Sequence, residues 1–187
     1  MSEYDDITGI FDHLTPEDFF DPDTSAQKIP LENGCTFDSF VHEQLTMLRY
    51  AFAACDGNIN PMTVLANSEY AIVYQANDEE NLGQYIDRMN TEARRIGARW
   101  AFFYKRTLVA RQAPGNNINV GDATLMEEAL KAGATQEAVY WYAARTDGDE
   151  PAMRHGYAAI DDAKLGDVSE GPAQPNDLLN RILGGGR

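Results

Sequence analysis

The run RWAFFYKRTLVAR, residues 99–111, is the stretch from which the fold can be read. It is dominated by aromatic and β-branched side chains, the composition of a strand. Successive side chains on a strand point to opposite faces. Trp100, Phe102, Tyr104, Arg106 and Leu108 therefore share one face, and Phe103, Lys105 and Thr107 the other. The segments on either side read as elements that pair with this strand or pack upon it.

Immediately before it, Leu82, Tyr85, Ile86, Met89 and Ala93 recur at helical spacing and predict a buried stripe on a helix over 79–96. Asn77 or Asp78 serves as its cap and Gly97 as its left-handed terminator. Further back, residues 62–66 and 70–75 are rich in Val, Ile and Tyr and flank Asn67-Ser68-Glu69, which predicts a β-hairpin. A first helix spans 37–54, with Phe37, Phe40, Val41, Gln44, Leu48 and Phe52 one turn apart and Asp56-Gly57-Asn58 as its stop. Downstream, a polar loop at 114–121 leads to a helix over 122–132 closed by Gly133. Strands at 138–145 and 153–160 flank Asp147-Gly148-Asp149, a hairpin signal, although residues 139–142 also fit a helix starting near Thr135. A linker at 166–175 precedes a closing helix near 176–183.

The resulting order, α-β-β-α-β-α-β-β-α, predicts an α+β fold in which helices pack on an antiparallel sheet of about five strands. This order resembles that of the profilin-like and roadblock-type sensor and scaffold domains. The resemblance is one of topology and carries no functional residue across.

Charge divides the 187-residue chain further. Residues 1–35 hold nine acids (Glu3, Asp5, Asp6, Asp12, Glu17, Asp18, Asp21, Asp23, Glu32) against Lys28 alone. Between residues 88 and 111, seven bases (Arg88, Arg94, Arg95, Arg99, Lys105, Arg106, Arg111) face only Glu92, within a chain of net charge −15. Blocks of opposite sign meet each other or meet partners. Composition therefore predicts an acidic N-terminal arm at 1–35, a globular domain at 36–165 and a linker with a short helical tail at 166–187. Within the arm, Ile7, Ile10, Phe11 and Leu14 fall on one helical face, giving a short docking helix. A second helical start, capped by Thr15 with Pro16 at its first position, leads into Phe19 and Phe20 before Asp21-Pro22 ends it.

No leader or apolar span of roughly 20 residues is visible, and the two cysteines, Cys35 and Cys55, form no disulfide framework. The expectation is a cytoplasmic protein with free thiols and Cys55 in the core. The net acidity argues against direct nucleic-acid binding or attachment to anionic membranes.

Motifs of catalysis fail one by one. His42-Glu43 lacks the second His of a zinc helix, since Thr46 stands in its place. Asp147, Asp149 and Glu150 lack the terminal Glu of a calcium loop, position 158 being Ala. Ser39, Ser68 and Ser169 sit in no nucleophile elbow, and no phosphate loop is present. No metal or cofactor is predicted.

The reading is thus a non-enzymatic protein-binding or assembly protein that presents two peptides. One is the arm, with Ile7, Ile10, Phe11, Leu14, Phe19 and Phe20; the other is Leu178, Leu179, Ile182 and Leu183. The basic residues Arg88, Arg94, Arg95, Arg99, Lys105 and Arg106 are expected to bind anions or the acidic arm, from the same chain or a neighbour. Small assembly proteins, those of bacteriophages among them, are built in this way. Two alternatives stand beside it. One is a small-ligand-binding or hydrolytic domain whose pocket beside the sheet is lined by Tyr104, Trp141, Tyr142 and His155. The other is an acidic DNA mimic, weakened because residues 36–111 carry nine acids against eight bases.

Overall fold

A computed structural model of the chain describes residues 21, 24, 26–77, 79–110, 123–147, 152–161, 164–171 and 177–184. These form one antiparallel sheet with helices on both faces. The strands are β1 (Gln27–Pro30), β2 (Met62–Ala66), β3 (Tyr70–Gln75), β4 (Trp100–Ala110), β5 (Thr135–Arg145), β6 (Ala152–Asp161), β7 (Lys164–Leu165) and β8 (Ser169–Glu170). The helices are α1 (Phe37–Ala54), α2 (Leu82–Ile96), α3 (Ala123–Lys131) and α4 (Asp177–Ile182). Spatial order across the sheet is β1-β3-β2-β4-β5-β6-β7, with β8 also on β6.

The α+β class stands, but the sheet has eight strands where the sequence predicts about five. The extra three are β1, β7 and β8, of four, two and two residues. Strands so short carry no readable periodicity. One of them, β1, lies at 27–30, inside the segment that composition assigns to the arm. The second part of the chain with an open reading, around 139–142, is strand throughout.

Both faces of the central strands are covered, which explains their nearly continuous apolar runs. Trp100, Phe102 and Tyr104 of β4, with Val139, Trp141 and Ala143 of β5, pack under α1 through Phe40, Val41, Leu48 and Phe52. Trp141 stacks on Phe102 with ring centres 5.9 Å apart. The opposite face, with Leu65, Ile72, Ala101 and Phe103, meets α2 through Tyr85, Ile86, Met89 and Ala93 and meets α4 through Leu179 and Ile182. Each fully buried large side chain of this kind contributes about 2 kcal/mol of transfer free energy. Thr63 and Tyr85 share a hydroxyl–hydroxyl hydrogen bond beneath α2.

Local chemistry fixes the helix ends. Thr36 caps α1 in a reciprocal box with Ser39. Asn81 and Gln84 do the same for α2, three or four residues after the caps the sequence suggests, Asp78 or Asn77. The later start leaves Leu82 in the first turn and 67% exposed, not in the core as its spacing predicts. At the far end Gly97 adopts φ 65°, the left-handed conformation that ends α2. Cys35 precedes α1 and Cys55 caps its C-terminus, so the 18-residue helix separates them. Cys55 is exposed, against its expected place in the core.

The β6 edge is shaped by Gly156, which faces Trp141 across the ladder. A Cβ there would lie 1.8 Å from the Ser169 carbonyl oxygen and 2.8 Å from Nε1 of Trp141. Only glycine lets β8 approach this closely. Arg154 then ties the layers together, donating to Glu170 on β8 at 2.7 and 2.8 Å and to Asp38 in the first turn of α1 at 3.0 Å.

Candidate functional site

The densest polar cluster lies where the sheet edge stops short. Helix α2 buries Tyr85, Ile86, Met89, Ala93 and Ile96, which places Arg88, Glu92 and Arg95, at i, i+4 and i+7, along its flank. That flank runs beside the end of β3. The strand β1 pairs with β3 only over Gln27↔Val73 to Pro30↔Tyr70, whereas β3 continues through Tyr74 and Gln75. Beyond Gln27 the chain leaves the ladder and turns, Asp21 N–H donating to the Ala26 carbonyl at 2.8 Å. The gap is a cleft of about 520 Å³ lined by Thr24, Gln27, Tyr74, Gln75, Arg88 and Glu92 among others.

Its charges are arranged in pairs. Arg88 donates through Nε and Nη2 to both oxygens of Glu80 at 2.8 and 2.7 Å, and through Nη2 to the Gln75 carbonyl at 3.3 Å. The guanidinium of Arg88 holds the Glu80 carboxyl below its ordinary range, and Glu80 raises Arg88 in return. Arg95 donates to Asp21 at 3.2 and 2.5 Å and to Glu92 at 2.9 Å. Burial works against the Arg95 charge, but hydrogen bonds to Asp21 and Glu92 outweigh it and keep the guanidinium protonated. Tyr74 donates its hydroxyl to Glu92 at 3.0 Å. Burial, and next the Glu92 carboxylate, push that phenol well above its usual range. Two guanidiniums thus face three carboxylates, with the phenol kept neutral.

The structure brings together two of the six predicted basic residues, Arg88 and Arg95, and scatters the rest. Arg94 and Arg99 are exposed and have no ion-pair partner among the described residues. Lys105 and Arg106 fall on opposite faces of β4. Arg106 donates to the Gly57 carbonyl at 3.0 Å and pairs with Glu137. The acidic-arm contact is made by Asp21, with its side chain 6% exposed.

The C-terminal peptide is placed within the protein's own core. Leu179 and Ile182 are completely buried, Leu178 and Leu183 pack beside them, and Asn90 Nδ2 donates to the carbonyls of Arg181 and Ile182 at 2.9 Å each. Ile7, Ile10, Phe11, Leu14, Phe19 and Phe20 lie outside the described residues.

The aromatic residues suggested as a pocket lining do not share one space. Tyr104 and Trp141 belong to the α1 side, while Tyr142 and His155 lie on the other face of the sheet. There Tyr140 hydrogen-bonds His155 Nδ1 at 3.0 Å and makes an edge contact with Tyr142 at 4.2 Å between ring centres. Asp147, read as a turn residue, accepts from Trp100 Nε1 at 2.8 and 2.9 Å.

Sequence reasoning finds Arg88 and Arg95 through their helical spacing. It misses Tyr74, Glu80 and the specific role of Asp21, because these meet only through tertiary contact. Comparison with known proteins finds no matching family model, no matching curated protein and no matching solved structure. Among the described residues no helix is long and apolar enough to cross a membrane.

Proposed function

We propose that the protein is a non-enzymatic interaction or assembly protein of the cytoplasm, whose acidic, apolar-studded N-terminal segment engages a protein partner or a second copy. The observation that supports this best is the Asp21–Arg95 pair. Together with β1 it fastens Asp21, at the base of the acidic segment, to the sheet edge beside α2. Ile7, Ile10, Phe11 and Leu14 suit the helix-in-groove mode of recognition, with Phe19 and Phe20 as further apolar anchors. The C-terminal residues Leu179 and Ile182 contribute to the body that presents this segment, being buried in it.

A small-ligand reading is favoured by one observation. The cleft at Tyr74 and Arg88, about 520 Å³, falls within the size range of ligand pockets. DNA mimicry is disfavoured, since Asp21, Glu80, Glu92, Glu137 and Glu170 are engaged by arginines rather than set out as free carboxylates.

The test compares the intact chain with an Ile10→Asp/Phe11→Asp/Leu14→Asp variant by light scattering and by affinity capture, at low and high salt. Loss of self-association or of a captured partner in the variant is expected. Identical mass and identical partners under both conditions would overturn the reading.

A further inference from the structure

The strand that closes the β3 edge is only lightly embedded. None of the four side chains of β1 is fully buried. Behind it lies β3, YAIVYQ, six residues without a formal charge. Such an edge pairs readily with any extended chain once it is uncovered. Besides the ladder, the strap formed by Asp21, Thr24 and residues 26–30 is held by the Asp21–Arg95 clamp and by Lys28, whose ammonium sits 4.7 Å over the Tyr70 ring. The connection to α1 is a tight turn, in which Cys35 N–H donates to the Glu32 carbonyl at 3.0 Å. Gly34 takes φ 84° there, with nothing within 4 Å of where a Cβ would sit. The turn is open beside Gly34, while Leu31 and Cys35 within it pack against the core.

We propose that the β1 strap exchanges between two copies of this chain. Residues 27–30 of each molecule add to the β3 edge of the other, and Asp21 of each clamps Arg95 of the other. The occupant follows from the ladder, because 27–30 is the segment whose register on Tyr70–Val73 is fixed. Ladder, ion pair and Lys28–Tyr70 contact are all remade when the strap arrives from a neighbour, so exchange costs little once the turn opens. Opening requires the loss of four residue pairs, the Leu31 N–H bond to the Glu69 carbonyl at 2.8 Å, the Lys28–Tyr70 contact and one ion-pair cluster, a local rather than global cost. Strap exchange is a separate route to self-association from the arm contact proposed above, and it does not use residues 1–20.

The test uses full-length chains carrying Cys35→Ser and Cys55→Ser, one with Gln27→Cys and one with Val73→Cys. These positions face each other across the ladder, and neither is fully buried. Mixed at high concentration and then oxidised, the two chains are expected to form a disulfide-linked heterodimer in clear excess over both homodimers. Asp21→Asn should speed its appearance roughly tenfold by weakening the clamp. Homodimers and heterodimers in statistical proportion, or no cross-link at all, would overturn the proposal. A cysteine-free readout guards against misfolded variants. Native mass spectrometry of mixed light- and heavy-isotope chains should show hybrid dimers, and a purely monomeric spectrum at every concentration would equally overturn it. Repeating both experiments on the Ile10→Asp/Phe11→Asp/Leu14→Asp variant separates the two readings, since strap exchange survives in it and arm-mediated association does not.

Discussion

Asp21 and Arg95 lie 74 residues apart in the chain and meet in a two-pronged ion pair, at 3.2 and 2.5 Å. The aspartate is almost wholly buried, while the arginine is 29% exposed and also serves Glu92. The two partners are therefore unequal. Arg95→Ala strands two carboxylates and should cost about 3 kcal/mol, toward the range for broken buried pairs. Asp21→Ala leaves the guanidinium with Glu92 and should cost about 1 kcal/mol, toward that of surface pairs. Urea unfolding of the two single variants and the double variant checks the order; equal costs would contradict the arrangement.

Gly156→Ala is expected to be among the most damaging single-methyl changes. The added Cβ meets backbone at 1.8 Å, and β8 must be displaced to admit it. The loss should reach about 3 kcal/mol, the upper part of the overpacking range. Gly133→Ala has φ 64° and open space, so it carries backbone strain alone and should cost about 1 kcal/mol. Thermal or chemical denaturation of the pair separates clash from strain.

Leu179→Ala and Ile182→Ala should each destabilise the body by about 2 to 4 kcal/mol, since both side chains are completely buried against α2. Hydrogen exchange in α2 should rise with them. A C-terminal helix that merely hung out as a ligand for some partner would leave both measurements unchanged.

Two pH limits follow from the shifted groups. The carboxyls of Glu80 and Glu170 are held low by hydrogen bonds from Arg88 and Arg154. A depressed folded pKa stabilises above the unfolded value of 4.5 and is lost as pH falls through the folded value. Stability should therefore decline below about pH 4.5, and less so in Glu80→Gln. At the other limit, burial pushes the Tyr104 phenol from 10.0 up to about 12. A raised folded pKa gives stability that is complete below 10.0 and disappears as pH climbs toward 12. Tyrosinate absorbance followed alongside circular dichroism should show the buried tyrosines, Tyr104 among them, ionising only as the fold yields, and Tyr104→Phe should lower the amplitude of that step by one tyrosine.

How much of this could be read in advance depended on length and on burial. Helices α1 and α2 and the five long strands carry enough residues for a period to show, and Gly97 marks its helix end by conformation. The short strands β1, β7 and β8 owe their existence to neighbours, not to their own pattern. Leu82 follows the helical period yet points to solvent, because the Asn81–Gln84 box starts the helix just before it. The same limit governs the site. Arg88 and Arg95 were visible as spaced charges, whereas Tyr74 looked like any strand tyrosine and Asp21 like one acid of nine. The alternation along β4 already separated Lys105 from Arg106, which is why the basic stretch of sequence does not become one basic surface.

Helix α1 has a final consequence for the protein's redox chemistry. It rises by about 1.5 Å per residue, so its 18 residues hold the sulfurs of Cys35 and Cys55 near opposite poles of a rod about 27 Å long. A disulfide needs its Cα atoms within about 7 Å. Oxidation can then join this protein only to a neighbour, and any disulfide it acquires while folded is a record of which molecules stood side by side.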